Sequence, residues 1–358
     1  MRHLIYSLGI LLIVICSACN EDLRKSTGVK PGSFGVLNEV VAVADKEDWN
    51  TMIGDTFQYY FASAYPLMPS PEPFFDIRYF SKENLDAEPL RKQLRTYVVL
   101  CNLNDDDSAV TKMVKQDLGE DRFMKIRKTG ELKTTLGKDK WARGQIVIYI
   151  LGRNEDELAV NIRENFSAIA KRIHVHNEEQ LHARVYANNV NLGLSERVKN
   201  NYNIEITIPS DYKQLPKIDD DFMWLRKDTK NAILNMAIKK MPYKNEEQLT
   251  KEYLKELTNQ FGQNVDAEDI NNTLVINDED LPVFDYTREV NGQYVKEIRG
   301  IWEMTKSFDG GPFGSYMIHN KKAGEIVFIT TFVYAPGKSK RDYMQELEYL
   351  VKSIKFEA

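Results

Sequence analysis

The N-terminal segment is the feature that most limits what this chain can become. An apolar run extends from Leu4 to Cys16, directly behind the basic residue Arg2. A helix needs roughly 20 such residues to cross a bilayer, so the run is too short for a permanent membrane span. A basic start, a short apolar stretch and then the small residues Ser17 and Ala18 are typical of a secretory signal. We therefore predict a signal peptide over residues 1–18.

The four residues at the end of this segment, Cys16-Ser17-Ala18-Cys19, resemble the bacterial lipobox, with Cys16 where leucine is usual. The resemblance implies that Cys19 becomes the first mature residue and carries lipid. Several acyl chains on one cysteine exceed the two signals that stable attachment needs. We therefore expect the membrane as a partner through Cys19, and a cell-envelope location at the outer membrane, with its periplasmic or external face left open. The alternative is an ordinary cut near Ala18 and a soluble secreted protein.

Composition indicates a folded globular body without a nucleic-acid partner. Hydrophobic residues make up 42% and charged residues 28% of the 358 residues, and the formal net charge of −5 provides no basic excess. Of the three cysteines, only Cys101 lies beyond Cys19, so an intramolecular disulfide has no part in the fold. Cys101 lies in the apolar run TYVVLCNLN, which predicts a buried strand rather than a nucleophile.

The pattern along the chain predicts a tether followed by two folded units. Residues 19–35 are polar and rich in turn-forming residues, which favours a flexible tether. Hairpin signals, including the Asn291-Gly292 turn, and helices near the unit ends favour an α+β fold. We predict two sheet-plus-helix units, mostly antiparallel, with helices on one face. The N-terminal unit covers residues 36–176, and the C-terminal unit covers residues 177–358 and begins with a bridging helix.

Two local patterns in the N-terminal unit lead to specific expectations. Asp45 and Asp48 have the three-residue spacing that is typical of a box of capping side chains at a helix start. The segment DRFMKIRKTGELKTT, residues 121–135, is predicted to be a strand.

Several motifs together resemble a family of uncharacterised lipoproteins from Bacteroidota, domain of unknown function 4837. They are GVLNEVVAVADKEDW, PSPEPFFDI, IRGIWEMTKSFDGGPFGSY and VYAPGKSKRDYMQELEYLVKSI, which together span nearly the whole mature chain. The resemblance implies an envelope lipoprotein and brings no catalytic residues. The second half is also similar in element order to small antiparallel-sheet proteins of the photosystem extrinsic and Mog1-like fold, an analogy of fold alone.

The stretch YAPGKSKRDY resembles the end of a phosphate-binding loop, but it lacks the upstream glycine because Phe332 holds that position. Ser339 is expected to cap the following helix. The alternative is a weak anion site made by Lys338, Ser339, Lys340, Arg341 and free backbone N–H groups.

The stretch HVHNEEQLH brings His174, His176 and His182 together in nine residues. Because it contains no recognised metal-ligand spacing, we predict surface or cap histidines, no metal and no cofactor.

The loop PSPEPFFD places Glu72 and Asp76 four residues apart, and a hydrolase would use these two side chains as its pair of carboxylates. Pro71 and Pro73 disfavour a shared strand face. We favour a rigid loop that contacts a partner.

The stretch SFDGGPFGSY is the best candidate for ligand contact, because its glycines and aromatic side chains predict an exposed loop. Phe308, Phe313 and Tyr316 would be its contact residues.

Catalytic residues stay unknown, because no acid, base, nucleophile and metal set converges in the sequence. We therefore favour a lipid-anchored, non-enzymatic envelope protein that binds an envelope protein, a peptide or a glycan. The alternative is a hydrolase acting on envelope or external polymers through Glu72 and Asp76.

Overall fold

The structure is a computed structural model that describes residues 29–216, 222–265 and 272–356. The predicted signal peptide, Cys19 and the tether up to residue 28 lie outside these residues. Within them, no helix combines the length and the apolar character that a membrane crossing requires.

The chain is divided between two compact units. Among the described residues, the N-terminal unit comprises residues 29–63 and Phe75–His176, and the C-terminal unit comprises Ala64–Phe74 and residues 177–216, 222–265 and 272–356. The short segment Ala64–Phe74 thus belongs to the C-terminal unit, although both of its neighbours in sequence belong to the N-terminal one.

The N-terminal unit alternates strands and helices. Its elements are β1 (Glu39–Val43), α1 (Lys46–Trp49), α2 (Met52–Phe61), β2 (Asp76–Phe80), α3 (Lys82–Ala87), β3 (Thr96–Asn102), α4 (Ala109–Leu118), α5 (Glu120–Thr129), β4 (Thr134–Lys138), β5 (Ile146–Gly152) and the long helix α6 (Glu155–Val185). Helix α6 continues past His176 into the C-terminal unit.

Five strands form the N-terminal sheet in the order β2-β1-β3-β5-β4, in which only β4 runs antiparallel to its neighbour. Strands β3 and β5 are buried along almost their whole length, as expected when helices cover both faces of a parallel sheet. One face packs against α3, α4 and α5 around Tyr97, Val99 and Phe123. Val98 and Leu100, which point to the opposite face, are also fully buried.

The strand predicted over residues 121–135 is wrong for most of its length, because residues 120–129 form helix α5. Phe123 and Ile126 lie three residues apart on its buried side, and Gly130 ends it in the left-handed conformation at φ 64°. Of the predicted strand, only Thr134 and Thr135 lie in a strand, at the start of β4.

The C-terminal unit is built on a long antiparallel sheet. Its elements are α7 (Leu192–Tyr202), β6 (Ile204–Glu205), β7 (Tyr212–Gln214), β8 (Met223–Asp228), β9 (Ile233–Pro242), α8 (Lys251–Gly262), β10 (Leu274–Asn277), β11 (Phe284–Val290), β12 (Gln293–Met304), β13 (Gly310–Asn320), β14 (Glu325–Tyr334), α9 (Arg341–Lys352) and β15 (Lys355–Phe356). The main sheet has the order β10-β12-β13-β14-β9-β8-β7, with β11 also paired to β12, and β6 pairs with β15 separately.

Helices cover both faces of this sheet as well. On one face, Met344, Leu347 and Val351 of α9 join Ile238 and Ile329 in one buried cluster. On the other, Leu254 and Phe261 of α8 pack with Trp302, Phe313 and Phe328. The predicted α+β class with mostly antiparallel strands is therefore confirmed, whereas the expectation of helices on one face is wrong: the strands are apolar on both sides, so each side needs a cover.

A buried ion network links α9 to the sheet. The guanidinium of Arg299 on β12 forms ion pairs with Glu297 on the same strand and with Glu348 on α9, and Arg288 on β11 pairs with Glu297. The side chain of Glu297 is only 2% exposed. This network adds directional contacts to the apolar packing of α9.

Candidate functional site

An open groove of about 820 Å³ lies in the C-terminal unit. Its lining comes from the end of α6, from α7, from the strand pair β6 and β15, from the Asn291 turn and from the last turns of α9. These elements meet because β15 follows α9 directly and pairs with β6, which follows α7.

Three aromatic side chains line the groove. The ring of His182 lies 4.8 Å from that of Tyr186 and 6.0 Å from that of Tyr349, measured between ring centres. His182 Nδ1 is 2.7 Å from the Tyr349 hydroxyl, and the Tyr186 hydroxyl donates to the carbonyl oxygen of Thr207. Burial raises the pKa of both tyrosines above the usual range, so their hydroxyls stay neutral at physiological pH. The hydrogen bonds of these neutral groups hold the rings of His182, Tyr186 and Tyr349 in place.

The groove has an apolar part and a charged part. Val190 and Leu192 are among its lining residues, and Leu192 is 74% exposed. Charged side chains of both signs also line it, among them Glu196 and Lys352, while Lys199 and Glu205 pair with each other at 2.7 Å. Fixed aromatic rings beside exposed aliphatic groups and mixed charges are the composition of a binding surface.

The predicted contact loop is only partly a loop. Phe308 lies in the turn between β12 and β13 and is fully exposed. Phe313 and Tyr316 lie inside β13 and are 2% and 5% exposed. The expectation that these two residues sit on an exposed loop is wrong, because β13 is paired on both edges and covered on both faces.

The glycines of this stretch mark close packing rather than a loop. A Cβ at Gly311 would lie 2.1 Å from the carbonyl oxygen of Val333, and one at Gly314 would lie 2.9 Å from the Tyr316 hydroxyl. Glycine within a strand often marks such a close approach.

The N-terminus of α9, predicted as a weak anion site, already holds a carboxylate from the same chain. Glu72 accepts hydrogen bonds from the backbone N–H of Lys340 at 2.7 Å and of Arg341 at 2.9 Å. The Lys340 ammonium donates to the carbonyl oxygen of Lys338, and the Arg341 guanidinium binds Asp342 and the carbonyl oxygen of Pro73. Lys340, rather than Ser339, occupies the N-cap position of α9, and its side chain makes no capping hydrogen bond.

The same contacts show what the PSPEPFFD loop does. Both carboxylate oxygens of Glu72 are engaged, and Glu72 is 5% exposed, so it is not available as a general acid or base. Asp76 begins β2 in the other unit. The predicted rigid loop thus binds its own chain.

The structure also places the predicted histidine cluster and Cys101. Among the residues that the structure describes, no three His, Cys, Asp or Glu side chains are arranged to hold a metal ion. His174 and His176 lie in α6 within the N-terminal unit, and His182 alone enters the groove. Cys101 is fully buried, 3.4 Å from the Thr111 hydroxyl, and burial raises the pKa of its thiol to about 12. It is therefore a core residue.

Sequence reasoning missed Tyr186, Leu192 and Tyr349 as groove residues. One signal was present: Tyr349 lies off the apolar stripe of α9, on which Met344, Leu347 and Val351 face the core. An aromatic residue outside such a stripe is a candidate for surface binding.

Two family models match this chain, each over less than half of it. Residues 191–353 match the family described as Domain of unknown function (DUF4837), and residues 33–186 match Domain of unknown function (DUF8532). The expected resemblance to domain of unknown function 4837 is thus confirmed over residues 191–353. The motifs GVLNEVVAVADKEDW and PSPEPFFDI fall within the second match instead.

Comparison with other proteins adds no functional assignment. No curated protein matches the chain. Among solved structures, LpqN, described as involved in cell envelope biogenesis of Mycobacterium tuberculosis, is 8% identical, with 43% of this chain and 83% of LpqN covered and a TM-score of 0.28. The Saccharomyces cerevisiae Ran-binding protein Mog1p is 9% identical, with 43% and 90% covered and a TM-score of 0.29. Similarities this low carry no argument about function.

Proposed function

We propose that this chain is a lipid-anchored cell-envelope protein that holds a peptide segment of another envelope protein in the groove lined by His182, Tyr186 and Tyr349. The role is binding without chemical change of the partner. The observation that carries the proposal is the groove itself, where aromatic rings fixed by hydrogen bonds lie beside an exposed leucine.

The apolar rim favours a peptide over a glycan. Val190 and Leu192 are aliphatic and exposed, so covering them with apolar side chains would remove hydrophobic surface from water. A sugar ring would stack on the tyrosines but would gain little from these two residues. Tyrosine also provides large contact area at low cost in side-chain entropy, which suits protein recognition.

Peptide selection tests the groove. Peptides are selected on the purified full-length chain, and their affinities are measured for Leu192→Glu, Tyr349→Ala and the control Leu281→Glu, an exposed leucine of the same unit outside the groove. The two groove variants should weaken binding by at least about tenfold, roughly 1.4 kcal/mol, with the control unchanged. Mass spectrometry should recover the peptide uncut. Peptides insensitive to both variants, cleavage of the peptide, or glycans that compete for the groove would each refute the proposal.

The anchor has a separate test. Cys16-Ser17-Ala18-Cys19 and the apolar run before it support lipidation at Cys19. With an alkyne fatty acid fed to a lipoprotein-processing host, the chain should incorporate label and fractionate with membranes, and Cys19→Ser should abolish both. Cys101→Ser is the matched control and should leave labelling intact. Equal labelling of the Cys19→Ser chain would rule out this attachment point.

A further inference from the structure

The carboxyl ends of β1 and β3 lie at a point where the N-terminal sheet changes direction. The chain passes from β1 through α2 to β2 on one side of β1, then through α3 to β3 on the other side. The helices that follow these two neighbouring strands therefore lie on opposite faces, with α3, α4 and α5 sharing one face. In open parallel sheets such a switch point leaves a crevice that binds ligands.

Carboxylates are concentrated at this edge. Asp45 and Asp48 follow β1, Asp105 follows β3, and Glu155 follows β5. Burial is the largest cause that raises the pKa of Asp48, and the negative charges of Asp45, Glu155 and Asp105 raise it further. Among residues 29–216, 222–265 and 272–356, no lysine or arginine forms an ion pair with these four carboxylates. These carboxylates are therefore met by hydrogen bonds alone: Asp45 accepts from the Ser108 hydroxyl, and Asp105 accepts from the backbone N–H groups of Asp107 and Ser108.

Asp48 has the buried polar atom of this edge that a cation could meet. It is only 8% exposed, and its Oδ2 atom is buried without a hydrogen-bond partner. Burying a carboxylate oxygen costs folding free energy unless a hydrogen-bond donor or a cation lies beside it. The capping box predicted from the spacing of Asp45 and Asp48 does not form. The side chain of Asp45 accepts a hydrogen bond from the Ser108 hydroxyl and makes no capping hydrogen bond to α1.

An aromatic pair lies beside the carboxylates. The rings of Trp49 and Tyr79 stack at 4.3 Å with an angle of 6° between their planes, and both side chains are half-buried. The Tyr79 hydroxyl donates to the carbonyl oxygen of Ala44, directly before Asp45. Carboxylates with aromatic rings are the combination that recognises organic cations, through charge and through attraction to the ring faces.

We propose that the edge formed by Asp45, Asp48 and Asp105, with Trp49 and Tyr79, binds an organic cation, an ammonium or guanidinium group. A bare metal ion is the weaker fit, because no three side chains of the described chain are set as metal ligands. The cationic group can belong to a small amine or to a basic side chain of a peptide.

Calorimetry on the full-length chain tests this site. Spermidine represents a free amine, an Arg-Gly-Gly amide represents a peptide side chain, and magnesium chloride at equal ionic strength represents a metal. We expect one of the organic probes to bind with a Kd below about 1 mM, and Asp48→Asn to weaken it at least about tenfold. Asp106→Asn, an acid paired with Arg127 at the surface, should change affinity less than about twofold.

A second variant checks the site. Trp49→Leu should weaken the same probe while leaving the circular dichroism spectrum unchanged, which separates loss of the site from loss of folding. Binding of neither organic probe, equal affinity in Asp48→Asn, or binding of magnesium alone would overturn the proposal. Which organic probe binds more tightly identifies the source of the cation. Because Asp48→Asn leaves the lining of the C-terminal groove unchanged, loss of binding in that variant assigns the signal to this edge, and a negative result here leaves the groove proposal standing.

Discussion

The carboxylate of Glu72 lies 2.7 Å from the backbone nitrogen of Lys340, although 268 residues separate the two in sequence. With its second oxygen on Arg341 N–H, it satisfies two of the unpaired donors that begin every helix and places a negative charge at the positive end of the α9 dipole. A distant side chain thus supplies the cap that Ser339 does not.

Removing this cap should destabilise the C-terminal unit. Glu72→Ala is expected to lower the free energy of unfolding by about 2–4 kcal/mol, because two buried N–H groups lose charged acceptors. Glu72→Gln should cost less, since one acceptor remains. Urea denaturation measures the loss, and hydrogen exchange at residues 340–345 locates it. The exposed Glu279→Ala should stay within about 0.5 kcal/mol, and an equal effect there would contradict this account.

Asp48 should make stability depend on pH in a defined direction. Burial raises its pKa from 3.8 to about 6, so the native state holds the proton more tightly than the unfolded chain. Its favourable contribution is complete below about pH 4 and is lost as the pH rises through 6. Asp48→Asn should therefore raise the free energy of unfolding by about 1–2 kcal/mol above pH 6 and change it little at pH 4. Urea denaturation without added cations, repeated across this range, should show the difference growing with pH; a constant difference would refute it.

Arg299 should be costly to remove. Arg299→Met leaves the carboxylates of Glu297 and Glu348 buried without their shared cation, and we expect a loss of about 3–5 kcal/mol. Lys213→Met removes a partner from an exposed pair with Asp228 and should cost less than about 1 kcal/mol. Thermal unfolding of the two variants side by side makes the comparison. Equal losses would mean that the network contributes no more than a surface pair.

Two glycines of the C-terminal unit should respond in opposite directions to alanine. Gly311→Ala places a methyl group 2.1 Å from the Val333 carbonyl oxygen, so we expect a loss of about 2–3 kcal/mol. At Gly193, within α7, the nearest atom would be 3.8 Å away. Gly193→Ala should therefore stabilise by about 0.5–1 kcal/mol. Chemical denaturation measures the change in unfolding free energy, and its sign, for each variant. Stabilisation by Gly311→Ala would show that β13 can shift.

The Cys101 thiol should be unreactive in the native chain. Burial disfavours its thiolate, so iodoacetamide should label it only after unfolding. Mass spectrometry of the tryptic peptide, with and without urea, measures this. Rapid native labelling would mean that the β3 region opens readily.

Local patterns in the sequence predicted the α+β class, because apolar strands and amphipathic helices each leave a short-range signal. The parallel order of the N-terminal sheet left no such signal, since strand pairing depends on contacts far apart in the chain. Buried strands such as β3 and β5 did carry a hint, being apolar on both faces rather than alternating.

The sites were harder to predict than the fold. Gly311 and Gly314 suggested a loop because glycine is common in turns, whereas here it allows close contacts between neighbouring strands and side chains. Phe308 alone of the predicted contact residues is exposed. The groove combines residues from α6, α7 and α9, and no spacing within one element reveals such a combination.

The assignment of Ala64–Phe74 to the C-terminal unit has a consequence for how such proteins can change over generations. This segment lies within the region that matches one family, while its partner, the start of α9, lies within the region that matches the other. A recombination event that exchanged only the C-terminal region between two relatives would place Glu72 beside the α9 of another chain. Because both contacts are made to backbone N–H groups, which every residue except proline provides, such an exchange should keep the cap as long as residue 72 stays acidic and residues 340 and 341 are not proline.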